Sequence, residues 1–334
     1  MKILDAGASG QGFSVKNRPM KPLTLPRISV RYWLAIFMLF LACFLWGIGN
    51  VAQKIVLNDI SPLLLLCIRS TIALICLTPF AINECRKKKI SLKHIWCHSG
   101  WLAVTALSFA LGLACQTFGG QFTSATNLGF IINLCVLITP LILFLAFRER
   151  ISPMTLFSCA VCFAGAALLT SLPMQKPNLG DALCFIGAIF YAVWIVSLDR
   201  SLKVIDAPIL ITVLQFAPAS LLSLGLALPQ DELYSVDFWP LWPTLLFISI
   251  LSTCVGFLMA AYAQRLVQPV IAGLIYSFEA LFGAAGAWFV LDERLSNSAM
   301  IGGAMMFASI LVCQYCVSKP STQNKHSKLI IQLT

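Results

Sequence analysis

Charge is what this sequence lacks most. Only 11% of its 334 residues are Asp, Glu, Lys or Arg, against about a quarter in soluble domains. Hydrophobic residues make up 59%, and the mean hydropathy is +0.88, more apolar surface than a soluble core can absorb. Histidine is almost missing: His94, His98 and His326 are the only three, and none lies near the close cysteine pairs Cys159/Cys162 and Cys313/Cys316. A zinc site needs converging ligands, so the 13 cysteines read as small helix residues, with neither metal nor disulfide framework implied. No Gly-x-x-x-x-Gly-Lys-Ser/Thr loop is present, which excludes nucleotide hydrolysis as the energy source. Residues 1–30 have no short apolar segment ahead of a cleavage site, so no signal peptide is expected. The net charge is +10, but no soluble domain exists to present it to a nucleic acid.

Long apolar runs are what the sequence has. Ten of them, at about 33–51, 61–80, 96–115, 122–147, 154–172, 183–198, 208–228, 241–263, 270–291 and 299–317, approach the twenty residues that a helix needs to cross a bilayer. The expected fold is all-α and integral to the membrane, with ten transmembrane helices. Lys and Arg set its orientation. With the N-terminus in the cytoplasm, only Lys54, Lys176 and Arg294 fall on the far side and Arg69 lies within a helix; the rest of the 23 are cytoplasmic. Both tails, 1–30 and 318–334, are then cytoplasmic, and the membrane is the cell inner (plasma) membrane. Trp33, Trp96, Trp239 and Trp242 fall near run ends, where indole rings favour the interface.

The runs form two similar sets. Glu149-Arg150-Ile151-Ser152 and Glu293-Arg294-Leu295-Ser296 stand 144 residues apart, and Pro62 and Pro208, each opening an apolar run, stand 146 apart. Two anchors at nearly one offset indicate an internal repeat, with halves at 31–172 and 181–317. Five crossings per half turn the second copy upside down, a common transporter design.

Tyr262-Ala263-Gln264-Arg265, Ser277-Phe278-Glu279-Ala280 and Asp292-Glu293-Arg294-Leu295-Ser296 follow one another in the second half. Thr123-Ser124-Ala125-Thr126-Asn127, Thr139-Pro140 and Arg148-Glu149-Arg150 take the matching place in the first, with Trp46-Gly47 and Arg69 before them. In order and spacing these resemble the ninth-helix and fourth-helix regions of the EamA-type family of the drug/metabolite transporter superfamily. The resemblance covers about 33–317. It implies ten helices, a central cavity between the halves, and gradient-driven movement of small metabolites. One departure is Glu279-Ala280 where the family often has Glu-Pro, so no proline marks a helix break there.

Two ionisable residues fall near mid-membrane, Arg69 and Glu279. A charge at that depth costs about 2.5–3.5 kcal/mol on insertion scales and so faces a partner or a wet cavity. Glu279 is the proton-coupling candidate and could also hold an ammonium group, while the planar fork of Arg69 suits a carboxylate or phosphate. Together they could receive both ends of an amino acid; the bland alternative is that they pair with each other. Trp46, Asn50, Asn127, Asn133, Tyr191, Trp194, Gln215 and Tyr276 are the remaining candidates to line a substrate site, through amide hydrogen bonds or aromatic faces. The competing use for them is helix–helix packing. Glu149 and Glu293 read as ion-pairing groups at loops, or as latches at each face.

The function expected is that of a secondary transporter working by alternating access, an exporter of amino acids or related metabolites. Uptake of another small organic metabolite is the alternative, and a non-transport membrane subunit a more distant one. An intramembrane enzyme needs a converging set of acids, histidines or metal ligands, and only one acid lies at mid-membrane. No cofactor is implied, and the partners are a small-molecule substrate and the lipid bilayer. A ten-helix chain can hold a whole path, so a functional monomer is expected.

Overall fold

Apolar runs of this length leave the backbone one way to satisfy its polar groups inside a bilayer, the helix. In the computed structural model, which describes residues 30–123, 125–169, 178–231, 235–291 and 297–318, every regular element is a helix. The first half contains α1 (Val30–Val56), α2 (Pro62–Lys88), the six-residue α3 (Leu92–Cys97), α4 (Ser99–Phe122), α5 (Ala125–Ile132), α6 (Cys135–Phe147) and α7 (Pro153–Leu169). The second contains α8 (Leu179–Val204), α9 (Pro208–Ala227), α10 (Trp242–Leu246), the π-helical α11 (Phe247–Val255), α12 (Gly256–Gln264), α13 (Pro269–Tyr276), α14 (Phe278–Leu291) and α15 (Asn297–Ser318). Eight spans are long and apolar enough to cross a membrane when broken helices are counted as one; α7 and α15 add two shorter apolar helices. Most of both tails and the Glu293-Arg294 pair lie outside the described residues.

Helix ends follow local chemistry. Ser61 accepts from Leu64 N at 3.2 Å and Pro62 opens α2, the position where a missing N–H costs nothing. The sixth apolar run, short by sequence at 183–198, lengthens to α8 because Asn178 and Asp181 form a capping box. Asn178 Oδ1 accepts from Asp181 N and Asp181 Oδ2 from Asn178 N, a reciprocal pair that satisfies two orphan donors, and Asp199 near the other end pairs with Lys203 at 2.6 Å. Basic residues in the left-handed conformation, Lys89 (φ 52°) and Arg148 (φ 54°), close α2 and α6, where a cation meets the negative end of the helix dipole.

The halves pack as a two-fold pair. Corresponding spans meet each other: α2 packs on α9, α7 on α15, and the span of α5 and α6 crosses that of α13 and α14, with α5 on α14 and α6 on α13. The remaining contacts exchange under the same operation, α4 lying on α8 as α11 and α12 lie on α1. Large apolar side chains such as Phe37, Ile75, Leu145 and Leu221 are exposed, as lipid contact requires, while the polar Gln53, Arg69, Gln116, Gln215 and Gln264 are buried. Trp33, Trp96, Trp239 and Trp242 are all exposed.

Both halves break at the same place. The fourth run, continuous in the sequence, divides after Ile132 into α5 and α6; its counterpart divides after Tyr276 into α13 and α14, although no proline stands beside Glu279. One side chain joins the two breaks: Asn133 Nδ2 donates to Ser277 O at 3.3 Å. The two break residues are 144 positions apart, the offset of the repeat itself.

Candidate functional site

The broken helices, α1, α2, α4, α8, α11 and α12 enclose a narrow cavity between the two halves. Seven residues singled out in the sequence line it: Trp46, Asn50, Arg69, Tyr191, Trp194, Tyr276 and Glu279. Asn133 and Gln215 do not. Asn133 spans the two helix breaks, and Gln215 Oε1 accepts from Trp194 Nε1 at 2.9 Å from behind the cavity wall. The side chain of Asn127 lies outside the described residues, so its place is not assigned.

One wall is aromatic. Trp46 lies 4.7 Å from Phe257 and 5.2 Å from Tyr276, and Trp194 is stacked on Tyr276 at 6.1 Å. Phe109 and Phe216 back this cluster. A side chain on Gly256 would stand 2.6 Å from Trp46 Nε1, so the bare glycine makes room for the indole. That indole N–H is buried against the glycine with no partner among the described residues, an exception among buried donors.

The other wall is charged and polar. Arg69, 5% exposed, donates from Nε to Thr253 Oγ1 at 3.0 Å and from Nη1 to Gln53 Oε1 at 2.8 Å. The π-turn of α11 presents Thr253 to the arginine and Ser252 to the cavity; such turns recur where a helix must re-aim side chains. Glu279 Oε1 accepts from Asn50 Nδ2 at 2.6 Å. Asn50 Oδ1 accepts from Gln116 Nε2 at 3.1 Å, and Gln116 Oε1 from the Tyr191 hydroxyl at 2.5 Å. Arg69 and Glu279 share the cavity, yet among the described residues no ion pair joins them. Each is held by neutral partners, which fix a charge without neutralising it.

Sequence reasoning missed Gln116, Gln53, Ser252, Phe257 and Cys135. Gln116 and Gln53 fall just past the ends of the runs at 96–115 and 33–51, and the helices α4 and α1 extend beyond those runs to include them. Ser252, Phe257 and Cys135 carry no signal, because serine, phenylalanine and cysteine are ordinary membrane-helix residues.

A wider vestibule opens beside the start of α1 between Arg31, Met38, Lys203, Asp206, Gln264 and Arg265. Gln264, on its wall, donates from Nε2 to the hydroxyl of Tyr276, on the cavity wall, at 2.9 Å. Around it, Arg265 grips Asp206 with two contacts of 2.6 and 2.7 Å, and Lys88 reaches Glu84 at 3.3 Å. Glu149 pairs with Arg200 of the other half, not with its neighbour Arg150.

The sequence profile of the EamA-like transporter family matches residues 33–171 and again 178–314. A protein of Archaeoglobus fulgidus named as an uncharacterized transporter is 24% identical over 274 residues, 82% of this chain and 83% of its own. A second uncharacterized transporter of the same organism is 25% identical over 221 residues, 64% and 75% of the two chains. A solved crystal structure superposes with a TM-score of 0.64 at 15% identity, over 84% of this chain and 96% of that one; at that identity the likeness concerns the fold alone.

Proposed function

The chain belongs to the EamA-like transporter family, and from that premise we propose that it is a secondary transporter exporting small zwitterionic metabolites, amino acids or their relatives, across the cell inner (plasma) membrane. One observation carries this reading: Arg69 and Glu279 line a single cavity without pairing with each other. A buried charge without a counter-charge is costly, and a ligand bearing both charges relieves both costs at once. Its carboxylate meets the planar fork of Arg69, its ammonium meets Glu279, and its side chain lies against Trp46, Trp194, Tyr276 and Phe257, where an aromatic face also favours a cation.

The transport mode in this reading is alternating access, and the two-half architecture supports it. Two halves related by an approximate two-fold can rock about a shared centre, and the cavity lies where the halves meet. Glu279 is the coupling group: a proton and a substrate ammonium are alternative occupants of one carboxyl. The chain acts as a monomer with both termini cytoplasmic, which places the vestibule on the cytoplasmic side, where an exporter loads.

Metabolite release decides the matter. Cells expressing the protein, the Glu279→Gln variant at equal membrane abundance, or an empty vector are compared for compounds accumulating outside. A zwitterion released by the wild type alone is the expected result. Equal release by both proteins keeps transport and removes Glu279 from the site. No difference from the vector overturns export.

A further inference from the structure

Four polar side chains cross the cavity in one unbroken file. Tyr191 Oη donates to Gln116 Oε1 at 2.5 Å, Gln116 Nε2 to Asn50 Oδ1 at 3.1 Å, and Asn50 Nδ2 to Glu279 Oε1 at 2.6 Å. Every donor points toward Glu279, the order that an ionised, acceptor-only carboxylate imposes. A protonated carboxyl instead brings an O–H that needs an acceptor. Turning over both amides supplies one. Glu279 then donates to Asn50 Oδ1, Asn50 Nδ2 to Gln116 Oε1, and Gln116 Nε2 to Tyr191 Oη. No proton leaves Glu279 in this reversal; only the amides turn, and the Tyr191 O–H is set free.

The file also changes halves twice. Glu279 on α14 and Tyr191 on α8 belong to the second half, whereas Asn50 on α1 and Gln116 on α4 belong to the first. Two of its three bonds therefore hold the halves together, and reversal exchanges donor and acceptor in both. Among the described residues, Glu279 is the only acid in the cavity lining. The other charged or titratable groups around it are Cys43 on α1, Arg69 on α2, Cys135 on α6, Tyr191 on α8 and Tyr276 on α13. α7 brings Cys159 and Cys162, and α5 brings none.

We infer that Asn50 and Gln116 are positioning residues acting through Glu279: their amides carry the state of that carboxyl to Tyr191, whose hydroxyl is held when Glu279 is ionised and freed when it is protonated. This rests on the transporter reading for its purpose, since it gives the cavity one polar lining for the substrate-bound form and another for the protonated form. It does not rest on that reading for its geometry.

The test is acid-minus-neutral infrared difference spectroscopy of the full chain in lipid nanodiscs, which needs no substrate. The expected spectrum contains a carboxyl band that vanishes in Glu279→Gln, together with a tyrosine band that vanishes in Tyr191→Phe. In Gln116→Met the carboxyl band stays and the tyrosine band is lost. A tyrosine band that survives in Gln116→Met, or a carboxyl band that never develops, overturns the relay. Should Gln116→Met not fold, Asn50→Leu cuts the file one step earlier and must separate the two bands in the same way. A normal relay spectrum with no compound released sinks the transport reading alone; release with no relay spectrum sinks the relay alone.

Discussion

Gly47→Ala tests whether the site is fixed by backbone contact between the halves. Gly47 lies on α1 against α14, and a methyl group there would stand 2.6 Å from Gly283 N, 2.7 Å from Glu279 O and 2.8 Å from Phe282 Cβ. Ordinary carbon contacts lie at about 3.5–4.0 Å. Two of the obstacles are backbone atoms, so α14 must move away by about 0.8 Å on that contact distance. The Asn50–Glu279 bond, 2.6 Å now, spans the same two helices and would lengthen to about 3.4 Å, past the usual limit of ~3.2 Å. Overpacking of this kind costs about 1–3 kcal/mol. Gly225 is the control, because nothing lies within 4 Å of a methyl placed on it, and glycine to alanine inside a helix gains about 0.5–1 kcal/mol. The assay is thermal melting of purified protein in one detergent, read beside metabolite release at matched abundance. Gly47→Ala should melt lower and release less, while Gly225→Ala should melt at or above the wild-type temperature. A Gly47→Ala protein with wild-type melting and release would falsify the claim that close approach of α1 and α14 positions Glu279.

Three further outcomes are expected. Arg69→Lys keeps the charge but loses the fork that reaches Thr253 and Gln53, and the half-saturating substrate concentration for release should rise about tenfold, equivalent to ~1.4 kcal/mol; an unchanged value removes Arg69 from substrate contact. Trp194→Phe leaves fully buried Gln215 with neither end of its amide partnered, and melting should report a loss of about 1–3 kcal/mol, reduced when Gln215→Leu is added. Lys54→Met removes a cation that donates to Gly120 O at 3.0 Å and Thr123 O at 2.9 Å at the end of α4. It should increase hydrogen exchange in that last turn and cost about 0.3–1 kcal/mol.

Much of this molecule is legible because a bilayer permits so few structures. A run of apolar residues can only be a helix there, so the runs at 61–80 and 208–228 became α2 and α9 with little adjustment. What periodicity does not reveal is where a long helix breaks. Asn133 looked like one more cavity amide, and its effect on Ser277 depends on a contact across 144 residues. The same holds for Gln215, whose role is set by the neighbouring Trp194. Arg69 and Glu279 stood out because charge is so rare here. That they avoid pairing is a matter of distance and partners, which no single sequence contains.

The contact between Asn133 and Ser277 has one more consequence. In a self-complementary pair, a residue meets its own counterpart only on the symmetry axis, and these two occupy the same position in the two copies. The axis therefore passes between them, and everything away from it comes in counterparts: Glu279 answers to Cys135, Tyr276 to Ile132, and, by the offset of α2 and α9, Arg69 to Gln215. Two identical subunits would have to present two acids and two arginines, and a ligand could then lie either way round. Joining the copies in one chain let each position differ from its counterpart, leaving one acid and one base facing the space between. Such a cavity has polarity, and under the proposed transport of a zwitterion the molecule would keep the same end against the same wall from loading to release.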